Sequence, residues 1–518
     1  MSTREGSTPA PTDEQLATGG RSAEDAPVPE QLVDVVPDGD ILASREAGGR
    51  FLRGSGMRIG AYGAGLLVGL IATPLVTRHL GTVNWGHYIT VTSLIFIAAA
   101  LTEGGVANLG VRQFATTGDV ERRAFMSDLL GLRLVLSLLG GAGAIAFALV
   151  AGYQSVLVEG TLIASLGLLL EGARVTLSVP LTARLRLGWL AVSDFTGQAV
   201  TAALMIALVV SGASLLPFYG VAVITAGATL TLVVALVRSQ VDLRPSFSLG
   251  RWRALMSESF VYTAATTLGV IYFQIVIIAM SLMSTKHQTG YFSLSFRALS
   301  LVNGIPWLLV TSAFPILARA ARDDQDRLRY ALQRLFDGSL VAGCFFTLCT
   351  IIAAPFAVEF IGGPKFTPSV EVLQILGAGI IGTFLVATWS FGLLTLKMYR
   401  ELIWINGAAV LFAVLLSALL IPSHGARGAG VTTATLEVAL ALAYGIALSR
   451  HRPDLRPSLG HVPRVALALA SGLAVGALLP VYSLIAAAAG AAVLVAMLLV
   501  LRAVPEEFLH AIRRNPAG

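Results

Sequence analysis

The sequence repeatedly runs for about 20 residues without a charged side chain, which is the length an α-helix needs to cross a membrane. Hydrophobic residues make up 55% of the chain and charged residues 13%, whereas soluble proteins have about 25% charged residues. These features predict an all-α polytopic membrane protein. They exclude a soluble enzyme, a nucleic-acid-binding protein and a secreted disulfide-linked domain, since the only two cysteines, Cys344 and Cys349, lie in one apolar stretch.

The distribution of positive charge predicts the number and orientation of the helices. We expect about fourteen transmembrane helices, with the first two at residues 57–77 and 87–110 and both chain termini in the cytoplasm. In this arrangement the cytoplasmic segments hold 28 Lys and Arg residues and the outer loops hold 4. Cytoplasmic loops carry the excess of positive charge in membrane proteins, so the contrast supports this topology. The four outer positive residues are Arg78, Lys286, Lys365 and Arg427.

The N-terminal segment differs in charge from the rest of the chain. Residues 1–50 contain ten acidic residues and four arginines, a net charge of −6, so the other residues carry +12. The polar composition predicts a disordered acidic cytoplasmic tail. A basic membrane body suits anionic lipid head groups or an anionic substrate, although topology-setting loops account for most of this charge.

Two sequence similarities indicate an internal repeat. Residues that follow Gly220 resemble those that follow Gly430, an offset of 210, and residues that follow Gly86 resemble those that follow Gly290, an offset of 204. These offsets place helices 1–6 over helices 7–12 and predict two parallel six-helix lobes around a central cavity, plus two C-terminal helices. The expected divisions are the tail (1–50), the N-lobe (51–238), the C-lobe (239–450), and helices 13 and 14 with the cytoplasmic C-terminus (451–518).

Two motifs carry a resemblance to a known family. The first is Leu-Gly-Thr-Val-Asn-Trp-Gly-His-Tyr at residues 80–88, followed by Glu103-Gly-Gly and Arg112. The second begins with Gly290-Tyr-Phe and continues through Arg297 to Pro315 and Arg319. The chain resembles the polysaccharide-biosynthesis flippases of the Wzx type, which belong to the multidrug/oligosaccharidyl-lipid/polysaccharide exporter superfamily.

The resemblance implies transport of a polyprenyl-diphosphate-linked oligosaccharide from the inner to the outer leaflet of the bacterial cytoplasmic membrane. Movement by alternating access would serve cell-surface polysaccharide assembly. Membrane lipids are expected partners, and no nucleic acid or cofactor is expected. The resemblance leaves open whether transport is coupled to protons or sodium ions and whether glycan-assembly proteins are partners. The alternatives are a cation-coupled multidrug exporter, a lipid II flippase, and a membrane enzyme acting on lipid-linked sugar.

The residues disfavour two of these alternatives. The sequence has neither a P-loop nor a Cys/His metal cluster, and its outer loops are too short for a catalytic domain, so no catalytic or metal-binding residue is expected. Lipid II flippases resemble one another in an arginine cluster on helices 1, 2 and 8. In this chain only Arg297 fits that cluster.

Four polar residues are candidates for substrate binding. Arg297 lies about seven residues into predicted helix 8, and its guanidinium can bind a diphosphate through paired hydrogen bonds. A structural ion pair and a side chain that reaches the outer surface are the alternatives. Arg133 in helix 3 is a second candidate, with an interfacial position as its alternative. Glu103 can pair with Arg133 or Arg112, and Asn303 lies where helix 8 can bend.

Three acidic residues are candidates for ion coupling. Glu437 lies near the centre of predicted helix 12 with no opposite charge within a turn, and Asp194 enters helix 5 similarly unaccompanied. A buried carboxylate can exchange a proton or a sodium ion as a cavity opens to either side. For Glu437 the alternative is a hydrogen bond between helices. Glu171 is three residues from Arg174 on helix 4, a spacing at which the two charges neutralise each other.

Overall fold

The computed structural model describes residues 45–103, 105–116, 118–239 and 241–503, and these residues are mainly helical. The first seven helices are α1 (Arg45–Glu103), α2 (Val106–Thr116), α3 (Asp119–Val150), α4 (Ser155–Leu177), α5 (Val179–Ala183), α6 (Leu187–Val210) and α7 (Leu215–Val237). The other seven are α8 (Leu249–Met283), α9 (Lys286–Asp323), α10 (Gln325–Gly362), α11 (Ser369–Thr395), α12 (Tyr399–His451), α13 (Val462–Leu478) and α14 (Ser483–Val500).

Two of these helices are too long for a single membrane crossing. The 53 residues of α12 would extend about 80 Å, more than twice the hydrocarbon thickness. Both α12 and α1 are broken at a glycine in the left-handed region, Gly425 with a φ of 55° and Gly81 with a φ of 69°. Glycine adopts this conformation because it has no Cβ to clash. We call the two parts of each helix its first and second arms.

The glycine breaks reconcile the helices with the predicted topology. In the described part of the chain, eleven helices are long and apolar enough to cross a membrane, and α13 is apolar but has 17 residues. Dividing α1 and α12 at their glycines therefore gives fourteen segments among the described residues. The predicted all-α fold with about fourteen helices is confirmed.

The structure corrects the start and end of the first two predicted helices. Residues 45–50, expected in the tail, belong to the first arm of α1, whereas the rest of the predicted tail lies outside the described residues. The expected loop at residues 78–86 is reduced to the break at Gly81. Helix 2 ends at Glu103 rather than at residue 110, and Arg112 belongs to the separate short helix α2.

Helix packing repeats between the two halves of the chain. The contact between α1 and α6 has its counterpart between α8 and α12, and the contact between α4 and α7 has its counterpart between α11 and α12. Each pair joins helices at corresponding positions of the predicted six-helix repeats. We keep the predicted names N-lobe (51–238) and C-lobe (239–450) for these two halves of the chain.

The last two helices are attached to the C-lobe through α10. Both α13 and α14 pack against α10, and Gly472 and Gly490 bring their backbones together, since a Cβ at Gly472 would lie 2.8 Å from the Gly490 carbonyl oxygen. In the connection from α12 to α13, Arg452 donates hydrogen bonds to both Asp454 carboxylate oxygens, at 3.0 and 2.7 Å. These bonds hold the pKa of Asp454 below its usual range.

The lobes meet at the end of the bundle that the charge distribution predicts to face outward, which we call the outer end. There the second arm of α1 packs against α9, and a Cβ at Gly86 would lie 2.9 Å from the Gly290 backbone nitrogen. A Cβ at Gly290 would in turn overlap the Thr82 carbonyl. Arg78 also donates hydrogen bonds at 2.9 Å to the carbonyl oxygens of Glu359 and Phe360 on α10. We call this set of contacts the outer closure.

Substitution of Gly290 by alanine is expected to weaken the outer closure. The added methyl group would overlap the Thr82 carbonyl, and forcing such a group into a packed interface costs about 1 to 3 kcal/mol. A cysteine introduced at Thr289, which is 4% exposed, should then react about tenfold faster with a membrane-impermeant maleimide. Gly220→Ala is the matched control, because nothing lies within 4 Å of a Cβ there. Equal reaction rates in Gly290→Ala and the parent protein would contradict the packing argument.

Candidate functional site

Arg297 lies where the two lobes face each other. It is the twelfth residue of α9, so it lies about 17 Å along the helix, deeper than the sequence suggested because α9 begins at Lys286. Its side chain is half-buried and lies within electrostatic range of Tyr88 on the second arm of α1. Among the described residues the guanidinium has neither an ion pair nor a hydrogen-bond partner. A cation so deep in the bundle is costly unless a ligand or water solvates it.

The N-lobe presents aromatic rings near Arg297. Tyr88 stacks on Trp85 with ring centroids 5.8 Å apart and on Tyr219 with centroids 5.7 Å apart. Gly160 makes room for this row, since a Cβ there would overlap the Tyr219 ring. Trp85 and Tyr219 are each 2% exposed and belong to the packed core of the N-lobe, and Tyr88 is the member of the row that lies within electrostatic range of Arg297.

Arg133 lies inside the N-lobe, away from the contact between α1 and α9. It is 3% exposed and donates a hydrogen bond to the Thr102 carbonyl at the end of the second arm of α1. Gly172 of α4 makes room for the guanidinium, because a Cβ there would lie 3.0 Å from the Arg133 Nε atom. That Nε atom is buried without a hydrogen-bond partner among the described residues. Arg133 is therefore packed within the N-lobe rather than exposed on its surface.

The other two substrate candidates are not brought together with Arg297. Glu103 is exposed and lies within electrostatic range of Arg133, without a direct ion pair in the described part of the chain. Asn303 is six residues beyond Arg297, so the two side chains project about 120° apart around α9. The Asn303 amide oxygen is buried and has no hydrogen-bond partner within the described residues.

Arg174 links two of the acidic candidates in the N-lobe. It binds Glu171 through two hydrogen bonds of 2.8 and 2.5 Å, which is the pair predicted from their spacing. A guanidinium nitrogen also lies 3.7 Å from an Asp194 carboxylate oxygen on α6. The expectation that Asp194 is unaccompanied is therefore wrong, since spacing along one helix does not reveal a partner on another.

Glu437 is buried in the C-lobe. It lies on the second arm of α12, is 2% exposed, and its Oε2 atom has no hydrogen-bond partner among the described residues. Gly382 of α11 allows close packing beside it, since a Cβ at Gly382 would lie 2.7 Å from the Glu437 carbonyl carbon. Glu437 also lies within electrostatic range of Tyr272 and Tyr444.

A hydrogen-bonded chain next to Glu437 joins three helix segments. The Tyr444 hydroxyl donates to the Asn406 amide oxygen at 2.7 Å, and the Asn406 amide nitrogen donates to the Ala265 carbonyl on α8 at 3.0 Å. We call Glu437, Tyr272, Asn406 and Tyr444 the C-lobe polar cluster. Sequence reasoning found only Glu437, although Asn406 stands as an uncharged polar residue within an apolar stretch and could have been noticed.

The architecture defines a polytopic all-α membrane protein. The family model for polysaccharide biosynthesis proteins matches residues 51–321, more than half of the chain. The chain therefore belongs to the polysaccharide biosynthesis protein family. No curated protein matches it in sequence.

Solved structures share the fold. The lipid II flippase MurJ in an inward closed conformation has a TM-score of 0.73 and 14% identity, covering 86% of this chain and 98% of its own. An inward-facing multidrug resistance MATE transporter has a TM-score of 0.59 and 14% identity, with coverages of 76% and 95%. The eukaryotic MATE transporter AtDTX14 has a TM-score of 0.55 and 16% identity, with coverages of 79% and 99%. At these identities the likeness shows the fold alone.

Removal of the Arg174 side chain is expected to lower stability modestly. Arg174→Met leaves Glu171 and Asp194 without their cation, but these carboxylates are 44% and 39% exposed, so solvent screens much of the loss. We expect a loss of about 1 kcal/mol, a fall of about 2 °C in the unfolding temperature of the purified protein. The control is Arg427→Met, which removes a more exposed ion pair with Glu371 and should change that temperature less. An unchanged temperature in Arg174→Met would show that the pair contributes no stability.

Proposed function

We propose that the protein is a flippase that moves a polyprenyl-diphosphate-linked oligosaccharide from the inner to the outer leaflet of the bacterial cytoplasmic membrane. The observation that carries the proposal is Arg297, which lies between the lobes and has no counter-ion among the described residues. A diphosphate would supply that counter-charge. Family membership supports the polysaccharide pathway as the setting.

The chemistry of Arg297 suits a diphosphate better than a neutral or cationic cargo. A guanidinium presents paired N–H donors in a plane, and these match two oxygens of a phosphate group. The same charge repels the small cations that a multidrug exporter would carry. Tyr88, which lies within electrostatic range of Arg297, is the one feature that favours such an exporter, because aromatic rings bind organic cations.

Alternating access gives the outer closure a role in transport. The lobes touch at their outer ends through α1 and α9, so outward release of the cargo would require the outer closure to open as the lobes rock. This direction requires both termini to be cytoplasmic, as the charge distribution predicts. Proteins that assemble the glycan would deliver the cargo and receive it.

Arg297→Ala is expected to abolish most lipid exchange while the protein still inserts and folds. Charge-assisted hydrogen bonds contribute about 1.5 to 3 kcal/mol, so the exchange rate should fall about 10- to 100-fold. The measurement is leaflet exchange of a fluorescent polyprenyl-diphosphate oligosaccharide in proteoliposomes. Arg297→Lys should retain part of the rate, because it keeps the charge and loses the paired geometry.

Two controls make this experiment decisive. Arg427→Ala removes an arginine that is 64% exposed at the outer end and should leave exchange unchanged. A small cationic dye serves as rival cargo in the same vesicles. Full lipid exchange by Arg297→Ala would show that Arg297 is not the diphosphate site. Dye transport without lipid exchange would show that the protein is a drug exporter.

Ion coupling is assigned within the same proposal to the C-lobe polar cluster. A buried carboxylate whose Oε2 atom lacks a partner is poorly stabilised when charged, so a proton or a sodium ion would bind to it favourably. Asp194 and Glu171 are weaker candidates, because Arg174 already compensates their charge. Arg133, Glu103 and Asn303 would then help to shape the transport path rather than bind diphosphate.

Glu437→Gln is expected to uncouple exchange from an imposed gradient. Glutamine keeps the size and removes the exchangeable charge, so gradient-stimulated exchange should fall to the rate measured without a gradient. Proton and sodium gradients are applied separately in proteoliposomes to identify the ion. Glu371→Gln, at an exposed carboxylate of the outer end, is the matched control and should keep its stimulation. If an imposed gradient stimulates lipid exchange by Glu437→Gln as much as by the parent protein, Glu437 has no role in coupling.

A further inference from the structure

A cleft at the outer end lies between the two lobes and apart from Arg297. Its volume is about 240 Å³, below the roughly 300 to 1,000 Å³ of pockets that hold drug-sized ligands. His87 and Tyr153 line it from the N-lobe, while Ser281, Ser284 and Lys286 line it from the C-lobe. The cleft is thus sized for a small polar group and is completed only when the lobes are together.

The cleft is cationic. Lys286 and His87 lie within electrostatic range of each other, and in the described part of the chain neither has an ion pair or a side-chain hydrogen bond. No carboxylate is among the described residues that line the cleft. The ammonium group of lysine offers three hydrogen-bond donors and imidazole offers at least one. An ammonium group and an imidazole donor that line one cleft without a carboxylate suit an anion with several oxygens.

Hydroxyl groups of both lobes complete the lining. The Tyr153 hydroxyl and the Ser281 Oγ atom lie 2.5 Å apart and join the connection between α3 and α4 to α8. Ser281 also donates to the Ile278 carbonyl at 2.7 Å, which fixes its position. Ser284 lies at the start of the connection from α8 to α9, two residues before Lys286. The polar wall is therefore held in place by one contact across the lobe interface and one within α8.

We propose that this outer cleft binds a phosphate-type anion and that its occupancy stabilises the outer closure. The anion would contact His87 on one lobe and Lys286 on the other, so it would bind the closed arrangement more tightly than an open one. A ligand shifts a conformational equilibrium by its difference in affinity for the two states. The cleft is separate from Arg297, and its role in regulation goes beyond the proposed transport function.

The same chemistry has two sources, free phosphate or diphosphate outside the cell and the head group of a polyprenyl phosphate in the outer leaflet. Either would signal that product has accumulated at the outer surface. Both would act through the same two side chains, so one set of variants tests the site and a competition experiment identifies the source.

Binding is measured by calorimetric titration of pyrophosphate into the full-length protein in nanodiscs of zwitterionic lipid. The expected result is saturable binding whose dissociation constant rises at least tenfold in Lys286→Gln and recovers in Lys286→Arg. Lys365→Gln is the matched control, because Lys365 is also an exposed outer lysine but lies outside the cleft. Absence of saturable binding, or an equal loss in Lys365→Gln, overturns the proposal.

Arg297→Ala separates this site from the proposed transport site. Pyrophosphate binding that survives in Arg297→Ala and is lost in Lys286→Gln assigns the anion to the outer cleft, whatever the cargo of the transporter is. Binding that is lost in Arg297→Ala and kept in Lys286→Gln overturns the outer site. Polyprenyl phosphate in the nanodisc that competes with pyrophosphate identifies a lipid head group as the occupant, and lack of competition identifies the free anion.

A distance measurement tests the effect on conformation. Spin labels at Ser211→Cys in the N-lobe and Thr367→Cys in the C-lobe, both exposed at the outer end, report lobe separation after the two native cysteines are replaced by alanine. Pyrophosphate should raise the population with the shorter distance, and Lys286→Gln should abolish that response. An unchanged distance distribution at saturating pyrophosphate would overturn the stabilising role of the anion.

Discussion

The cost of placing charges and unpaired polar groups in hydrocarbon controls this structure. It requires backbone hydrogen bonds to be satisfied within helices, and it leaves few charges in the bundle. The N-lobe compensates Arg174 with Glu171 and Asp194 and ties Arg133 to a carbonyl. Arg297 has no such partner among the described residues. The charges of Arg174 and Arg133 are therefore explained by contacts within the protein, whereas the charge of Arg297 is explained by a bound anionic ligand in our proposal.

The close contact between two backbones at the outer end explains why glycine occurs at corresponding positions of the two repeats. Gly86 and Gly290 were matched as corresponding positions of two repeats, and the structure packs one directly against the other. Side chains at these positions would separate α1 from α9, so glycine is required by the approach of the two backbones rather than by flexibility. Each lobe thereby supplies the same element to the contact. Arg78 adds hydrogen bonds to α10 at the same end, so the lobes are joined there by both packing and polar contacts.

The sequence predicted the membrane helices because apolar length and loop charge are local properties. It did not predict that α1 and α12 are each one long helix interrupted only at a glycine. Residues 78–86, for example, have the composition of an ordinary loop. Contacts within one helix were also predictable, as with Glu171 and Arg174. Contacts between helices were not, which is why the partner of Asp194 and the bond between Tyr444 and Asn406 were missed. Burial of Arg133 depends on the space at Gly172 of another helix, and no spacing in the sequence reports it.

Helix α8 gives the proposed ion site and the outer end a mechanical connection. Ala265 accepts the hydrogen bond from Asn406 in the C-lobe polar cluster, and Ser281 contacts Tyr153 of the N-lobe about 24 Å further along the same helix. Between them, Thr267 donates to the Ala100 carbonyl on the second arm of α1. A helix is stiff along its axis, so a change of charge at Glu437 that moves Asn406 would also displace the contacts of α8 with the N-lobe. The proposed coupling would therefore need no contact between ion and cargo, because α8 contacts both the C-lobe polar cluster and the N-lobe.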